Sequence, residues 1–414
     1  MSEPAAAGRD HGLDALRAFA LLLGVLLHSV LPFVVAPGHW AVGTKEPSKV
    51  LALTVYYLHS FRLEIFFLLA GFFGAMVVAR RGAGSYLRDR ARRILLVFAI
   101  GLYPMKAVLG ALWIAGGLET GWLDLPPDVR SLSLVELGIG ALFLESWPNI
   151  TLTHLWFLYY LACTVALFMA LRAVVAPIGR RVTALDAIDR VFFRLVSARL
   201  APLALAIVVT PILVMMTGMD IDTPDSTFVW HLPVMLLYGL FFAFGWWLHW
   251  HAALFAGFAR RWRSSIAIGI IVAIVVAIGI GMRAKGAPWA VAHPLALKWL
   301  TSFGTSVTMM FSVFGWMGCF HRVFANASPA VRYVADASYW VYIVHLPVVV
   351  ALQLVLAPGN PWWIAVPCVN VAAMAILLAS YHVFVRYTWI GAWLNGRRAV
   401  KAAAPAPEQR AGLS

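Results

Sequence analysis

The chain has 414 residues, 62% of them hydrophobic and only 12% charged, against about a quarter charged in soluble domains. That deficit excludes an ordinary soluble enzyme and places the chain among membrane proteins. The net charge of +14 would suggest a nucleic-acid binder in a soluble protein, but here the basic residues sit in short runs between apolar stretches, so topology explains them and no nucleic-acid partner is expected.

The first apolar stretch is "LDALRAFALLLGVLLHSVLPF", Leu13 to Phe33. After Arg17 it is too long for a typical signal-peptide core, and no small-residue cleavage site closes it, so it reads as a retained first span. Arg17 and His28 are eleven residues apart, which is three helical turns plus about 20°, with a rise of about 16 Å. They share one face, with Arg17 expected near the cytoplasmic edge and His28 near the mid-membrane. Asp14, one turn before Arg17, is placed to pair with it. Gly24 lies between them and leaves a shallow groove. The spacing suits a long, thin ligand with an anionic head at Arg17 and a reactive end at His28. It equally suits a helix-end ion pair and a histidine bonded to a neighbouring helix.

Next comes "LHSFRLEIFFLLAGFFGAMVVARRG". His59 and Arg62 are one turn apart, and Glu64 is expected deep in the span, where a carboxylate needs a partner. It would form a salt bridge with Arg62 or with a neighbouring helix, or orient or charge a catalytic histidine. The run "YLRDRARRI" follows, with Arg88, Arg90 and Arg93. It is either a topology signal facing anionic lipid or a phosphate clamp, since arginine binds phosphate through two parallel hydrogen bonds. The long connection 116–153 holds "DLPPD", a helix breaker suited to a lid or partner surface. "THLWFLYYL" places His154 and Trp156 at a membrane edge, as anchors or as a sugar-stacking pair. In "ASYWVYIVHLP", Ser338, Tyr342 and His345 fall at i, i+4 and i+7 on one helical face, with Tyr339 slightly off it. Pro347 follows and loosens the local hydrogen-bond ladder. That face is an interhelical polar patch or part of a site.

Ten spans of roughly 20 residues are readable: about 14–35, 53–79, 94–115, 154–173, 200–217, 229–250, 265–282, 296–320, 338–356 and 362–385. With both tails on one side, that side collects twenty-three basic residues, including Arg9, Arg180 and Arg181, against five on the other, Lys45 among them. The positive side is cytoplasmic by the usual rule. The expected fold is therefore all-α, a polytopic transmembrane bundle of about ten spans with both termini cytoplasmic. Residues 1–390 form a single membrane-embedded domain, and the Ala/Pro-rich tail 391–414 is expected to be disordered. Cys163, Cys319 and Cys368 lie in apolar runs with no pairing or ligand spacing. No metal is expected, and no GxxxxGK[ST] loop marks an ATP-driven pump.

Taken in order, "RAFALLLGVLLH", "FFLLAGFF" with the arginine run and its Arg-x-x-Arg pair Arg90 and Arg93, "HLWFLYYL" and "SYWVYIVHLP" resemble acyltransferase family 3 of bacterial integral membrane proteins, from about residue 10 to about 390. The last two stretches look most like the members that acylate periplasmic glucans. Glu64 departs from that subgroup, where an uncharged residue is expected. The resemblance implies a multi-pass protein of the bacterial inner membrane that moves an acyl group from cytoplasmic acyl-CoA, with succinyl-CoA or acetyl-CoA as co-substrate, to a hydroxyl of a cell-envelope glucan. It also implies that Arg17 and His28 matter for catalysis.

On that footing the groups acquire roles. His28 would take the acceptor hydroxyl proton, since imidazole titrates near neutral pH, with Glu64 as a possible orienting carboxylate. Arg17, Arg88, Arg90 and Arg93 would hold the CoA phosphates, with the pantetheine arm passing Gly24. Tyr342 and His345 would polarise the thioester carbonyl or bind the acceptor. His59, Arg62, His154, Trp156, Ser338 and Tyr339 would contact substrate. A proton-coupled transporter or a polysaccharide-export component is the rival reading; inverted repeats would favour it, and the sequence shows none.

Overall fold

The computed structural model describes residues 11–43, 47–179, 184–326 and 328–395, and every regular element among them is helical. α1 (His11–Val30) runs into a 3-10 turn, Leu31–Phe33. α2 (Lys49–His59) and α3 (Arg62–Arg90) lead through a π-helical segment, Ala91–Leu95, to α4 (Leu96–Thr120). The next connection carries α5 (Pro127–Arg130), α6 (Leu134–Gly140) and the 3-10 turns Ala141–Phe143 and Thr153–Leu155. Then follow α7 (Trp156–Gly179), α8 (Ala184–Ser197), α9 (Ala201–Val214), α10 (Leu232–Trp250) and α11 (Leu254–Ala284). The chain ends through α12 (Pro288–Ala292), α13 (Pro294–Val323), α14 (Pro329–Leu356), α15 (Trp362–Ser380) and α16 (Trp389–Asn395). Pro233, Pro294 and Pro329 stand in the first turns of α10, α13 and α14, where the absent N–H would have had no helical partner anyway.

Among the described residues, eight helical stretches are long and apolar enough to cross a bilayer, or nine if one bent pair is counted as a span. One of the eight, Lys49–Thr120, has 72 residues, about 108 Å if straight, against a hydrocarbon core of about 30 Å. It must cross more than once. Gly82 breaks it with φ 78° and ψ 164°, a conformation open to glycine and costly for other residues. The chain therefore goes over along α3 and returns along α4, as the apolar runs 53–79 and 94–115 predict. The span expected at 200–217 is the shorter α9, which qualifies only together with α8, from which it bends by 113°.

The second expected span also departs from its reading. Phe61, at φ −144° and ψ −18°, interrupts it, so the chain restarts as a new helix at Arg62. Glu64, expected deep in a span, falls in the first turn of α3. The positive end of the helix dipole favours a carboxylate there, although Glu64 has 0% exposure and neither carboxylate oxygen takes a hydrogen bond from the helix end. The start of the expected disordered tail is helical instead: α16 is tied down by the Trp393 indole, which donates to the Arg92 carbonyl at 3.0 Å. Residues 396–414, and Arg9, Lys45, Arg180 and Arg181 of the charge count, lie outside the described residues.

α1 is the central helix, packed against α3, α13, α14 and α15. Glycines set how closely α3 meets α10. A Cβ on Gly71 or Gly245 would run into the carbonyl oxygen of Phe242 or Leu68 on the facing helix, so small residues let the two backbones touch, as is usual between membrane helices. Phe67 and Tyr238 then stack across the contact at 4.2 Å between ring centroids. Gly245→Val should lower stability by about 1–3 kcal/mol, the usual cost of overpacking, and appear as a fall in thermal midpoint in detergent. Gly239→Ala, in open space on the same helix, should leave the midpoint unchanged or raise it.

Candidate active site

A cavity of about 730 Å³ opens between the upper half of α1, the α2–α3 junction, the second half of α4, the start of α7 and the middle of α14. Residues of segments 141–153 and 220–225 cover its far end in part. Three histidines converge on it. His28 and His345 stand 5.2 Å apart between ring centroids, and His345 and His154 stand 5.1 Å apart. His28 is two residues from the end of α1, so it lies toward one end of the span and not at its middle.

Pro347 explains how His154 is held. A proline has no N–H, so the carbonyl of Ile343, four residues back in α14, loses its helical donor. The His154 Nε2 lies 3.0 Å from that carbonyl oxygen. A carbonyl only accepts, so Nε2 carries the proton, and Nδ1 is left buried without a partner. The Tyr342 hydroxyl donates to the His154 carbonyl at 2.8 Å, so its proton is committed to anchoring this turn. Between these clasps Thr153 is held at φ 53°, a left-handed backbone that is rare and strained for a β-branched residue. His345 donates from Nδ1 to the Tyr342 carbonyl at 2.7 Å, leaving its Nε2 buried and unpartnered. His28 Nδ1 is likewise buried and unpartnered.

Arg62 lies beside them. A Cβ on Gly24 would sit 2.7 Å from the Arg62 Nη1, so the groove expected above Gly24 is filled by the guanidinium head. The Arg62 Nε is buried without a hydrogen bond, as are both carboxylate oxygens of Glu64. The expected Arg62–Glu64 salt bridge is not formed. Residues two apart on a helix point to different sides, and Glu64 does not line the cavity.

The far end is polar. The His59 Nδ1 lies 3.4 Å from an Asp220 oxygen, and its Nε2 lies 3.3 Å from the Thr223 hydroxyl. Lys106 forms an ion pair with Glu145, which also accepts from the Thr151 backbone N–H at 2.7 Å and the Thr151 hydroxyl at 2.5 Å. Partial burial would raise the Glu145 carboxyl, but the Lys106 and Thr151 hydrogen bonds outweigh it and hold the group below the usual range. Asp225 has no such partner, and burial pushes its carboxyl up. Trp40 lies nearly parallel to the His28 ring, centroids 5.8 Å apart. Its indole donates to Gln353 Oε1 at 2.9 Å, and the fully buried Gln353 donates to the His28 carbonyl at 2.8 Å.

The cavity thus unites His28, Gly24, Tyr342 and His345 with His59, Arg62, His154 and Trp156. It does not include Arg17. Its lining on α1 stops at Ala20, three residues or about 4.5 Å of rise short. Arg17 lies 3.7 Å from Asp14 and over the Phe73 ring. Arg90 and Arg93 are also outside, both paired with Asp89 at 2.9 and 2.8 Å. Arg88 neighbours them on the last turn of α3. Ser338 turns its hydroxyl back to the Ala335 carbonyl at 2.8 Å. The Tyr339 hydroxyl donates to the Arg93 carbonyl, in the π-helical segment. Sequence reasoning missed Lys106, Glu145, Trp40, Trp113, Asp225 and Gln353. Lys106 was detectable as a lone cation in "GLYPMKAVLG", and Gln353 as a lone amide in "VVVALQLVL". Among the described residues, no group of three or more His, Cys, Asp or Glu side chains is arranged to hold a metal ion.

The sequence model of a family described as "Acyltransferase domain" matches residues 10–382. Among curated proteins, "Glucans biosynthesis protein C" of Escherichia coli O139:H28 is 25% identical over 409 residues, covering 96% of this chain and 97% of that one. The protein of the same description from Escherichia coli O157:H7 strain EC4115 is 24% identical over 416 residues, with the same coverage of each chain. No solved structure matches the chain.

Pro347→Ala supplies the missing N–H, and the Ile343 carbonyl can return to the helix ladder. His154 then loses its acceptor, and a buried donor without a partner costs about 1–3 kcal/mol. The expected result is a helix that gains its bond while the site loses its order: a changed His154 imidazole resonance by NMR, with thermal stability shifted by less than that cost. An unchanged His154 resonance would refute the link.

Proposed function

The chain belongs to the acyltransferase 3 family of membrane proteins, and from that premise we propose that it transfers an acyl group, succinyl or acetyl, from cytoplasmic acyl-CoA to a hydroxyl of a cell-envelope glucan at the bacterial inner membrane. The glucan acceptor is suggested by the relatives' name. The observation that carries the reading is the cavity that sets His28, His154 and His345 beside the buried cation Arg62.

The reaction needs one base and one group to receive developing negative charge. In this reading His28 removes the proton from the acceptor hydroxyl as that oxygen attacks the thioester carbonyl carbon. The oxyanion that develops faces Arg62, which has an unused buried donor. When the carbon–sulfur bond breaks, the proton on His28 passes to the CoA thiolate. His345, with a free buried Nε2 beside the His28 ring, orients that ring or shares its proton. Acyl, proton and charge then balance with no covalent acyl-enzyme.

The donor is placed at the arginine-rich end, which the positive-inside rule assigns to the cytoplasm. Arg17, Arg88, Arg90 and Arg93 would meet its phosphates there. Two features of the geometry bear on this path. Asp89 already holds Arg90 and Arg93, so a phosphate would compete with a carboxylate for them. Arg62 covers Gly24, so a pantetheine arm taking the expected path would push that head aside. His59, His154, Trp156, Ser338 and Tyr339 remain in this reading as residues serving the substrates, the last two from outside the cavity by holding α14.

Kinetics on purified protein in detergent would test the roles. His28→Ala should lower kcat by about 10²–10⁴-fold, the range for loss of a general base, with the thermal midpoint little changed. Arg90→Ala with Arg93→Ala should instead raise the KM for acyl-CoA with kcat held, the pattern for loss of uniform binding. Transfer that survived His28→Ala would remove this mechanism.

A further inference from the structure

The far end of the cavity has features that the histidine and arginine chemistry does not use. Trp40 and Trp113 meet there edge to face, with centroids 4.7 Å apart and planes at 70°. Both line the cavity and neither is fully buried. Trp40 cannot turn freely, because the buried Gln353 holds its indole N–H and is itself tied to the backbone of His28. The two rings form a fixed apolar corner beside the candidate base.

The same cavity also has an acidic and hydroxylic lining. Glu145, Asp220 and Asp225 line the cavity, with Thr153 and Thr223 between them. Glu145 and Asp220 are engaged by Lys106 and His59. Asp225 is different: its carboxyl makes no hydrogen bond or ion pair with any described side chain, and its backbone carbonyl receives the Leu152 N–H at 2.5 Å, fixing it against the other covering segment. A partly buried carboxylate that lines the cavity and has no side-chain donor of its own can accept from a bound ligand.

The charge of this end selects among ligands. Lys106 and His59 offset Glu145 and Asp220, which leaves Asp225 as the carboxylate without a basic partner, and a carboxylate so placed disfavours an anionic phosphate or carboxylate beside it. A purely apolar ligand would leave Asp225 unpaired. A pyranose ring satisfies both sides: its C–H face lies on an aromatic plane and its hydroxyls donate to carboxylates, the combination of apolar wall and few fixed polar groups expected of a small-ligand site. We propose that Trp40, Trp113 and Asp225 form an acceptor subsite that binds one neutral hexose ring of the glucan flat against the tryptophan corner, with a ring hydroxyl directed at His28. The cavity is thereby divided, with donor carbonyl at the Arg62 end and sugar at the tryptophan end. The transfer step rests on the acyl-transfer reading above, whereas sugar binding does not.

The test measures sugar binding without any donor. Full-length protein in detergent is titrated calorimetrically with a panel of neutral glucose tetrasaccharides of different linkage, and separately with acetyl-CoA and succinyl-CoA. The wild type should bind at least one tetrasaccharide. Trp113→Ala should weaken that affinity by tenfold or more, Trp113→Phe should restore most of it, and Asp225→Asn should weaken it about fivefold. Asp225→Asn keeps the test decisive if the Trp113→Ala variant fails to fold. Tetrasaccharide affinity unchanged in Asp225→Asn, with Trp113→Ala also unchanged or unfolded, would overturn the subsite. Acyl-CoA binding with no sugar binding by the wild type would overturn the subsite and leave the acyltransferase reading standing. If neither ligand bound, both would fall.

Discussion

The site depends on one displaced hydrogen bond. Pro347 cannot donate to Ile343, so a carbonyl in the middle of a buried helix needs a donor from elsewhere. In a bilayer water does not supply it, and a freed backbone group must be satisfied by a neighbouring element. His154 does so from the 3-10 turn just before α7. That single bond joins two helices distant in the chain, fixes the tautomer of one histidine, and with the Tyr342 anchor holds Thr153 in its left-handed backbone. His345, two residues before the proline, is brought to His154 and His28 by the same stretch of helix.

A second constraint is steric. Gly24 has no side chain, and Arg62 uses the room. The guanidinium head thereby sits in the same cavity as His28, His154 and His345. The break at Phe61 that starts a new helix at Arg62 also puts Glu64 in a first turn. The arginine beside the histidines and the carboxylate turned away from the cavity follow from where two helices end and begin.

Much of this was readable because ionisable groups in apolar runs are anomalies. His28, Arg62, His154 and His345 each interrupt a stretch that otherwise reads as hydrocarbon-facing, and the cavity brings them together. Trp40, Asp225 and Glu145 gave no such signal. They lie in connections, where a polar or aromatic residue is unremarkable. The arginine run shows a different limit. Spacing marks Arg90 and Arg93 as a pair, but it cannot reveal that Asp89 sits between them and holds both. The span pattern was legible except where helices end early: α9 is short and bent from α8, and the second span is two helices because Phe61 leaves helical geometry.

α14 carries two tyrosine clasps three residues apart. Tyr339 grips the backbone of the arginine run at Arg93, and Tyr342 grips the backbone of His154. An α-helix resists stretching, since each added residue of length would break a backbone bond. The two grips lie about 4.5 Å apart along the helix axis, so the arginine run and the histidine turn are fastened to one short, stiff piece of α14. Moving either backbone without the other would strain a tyrosine hydrogen bond.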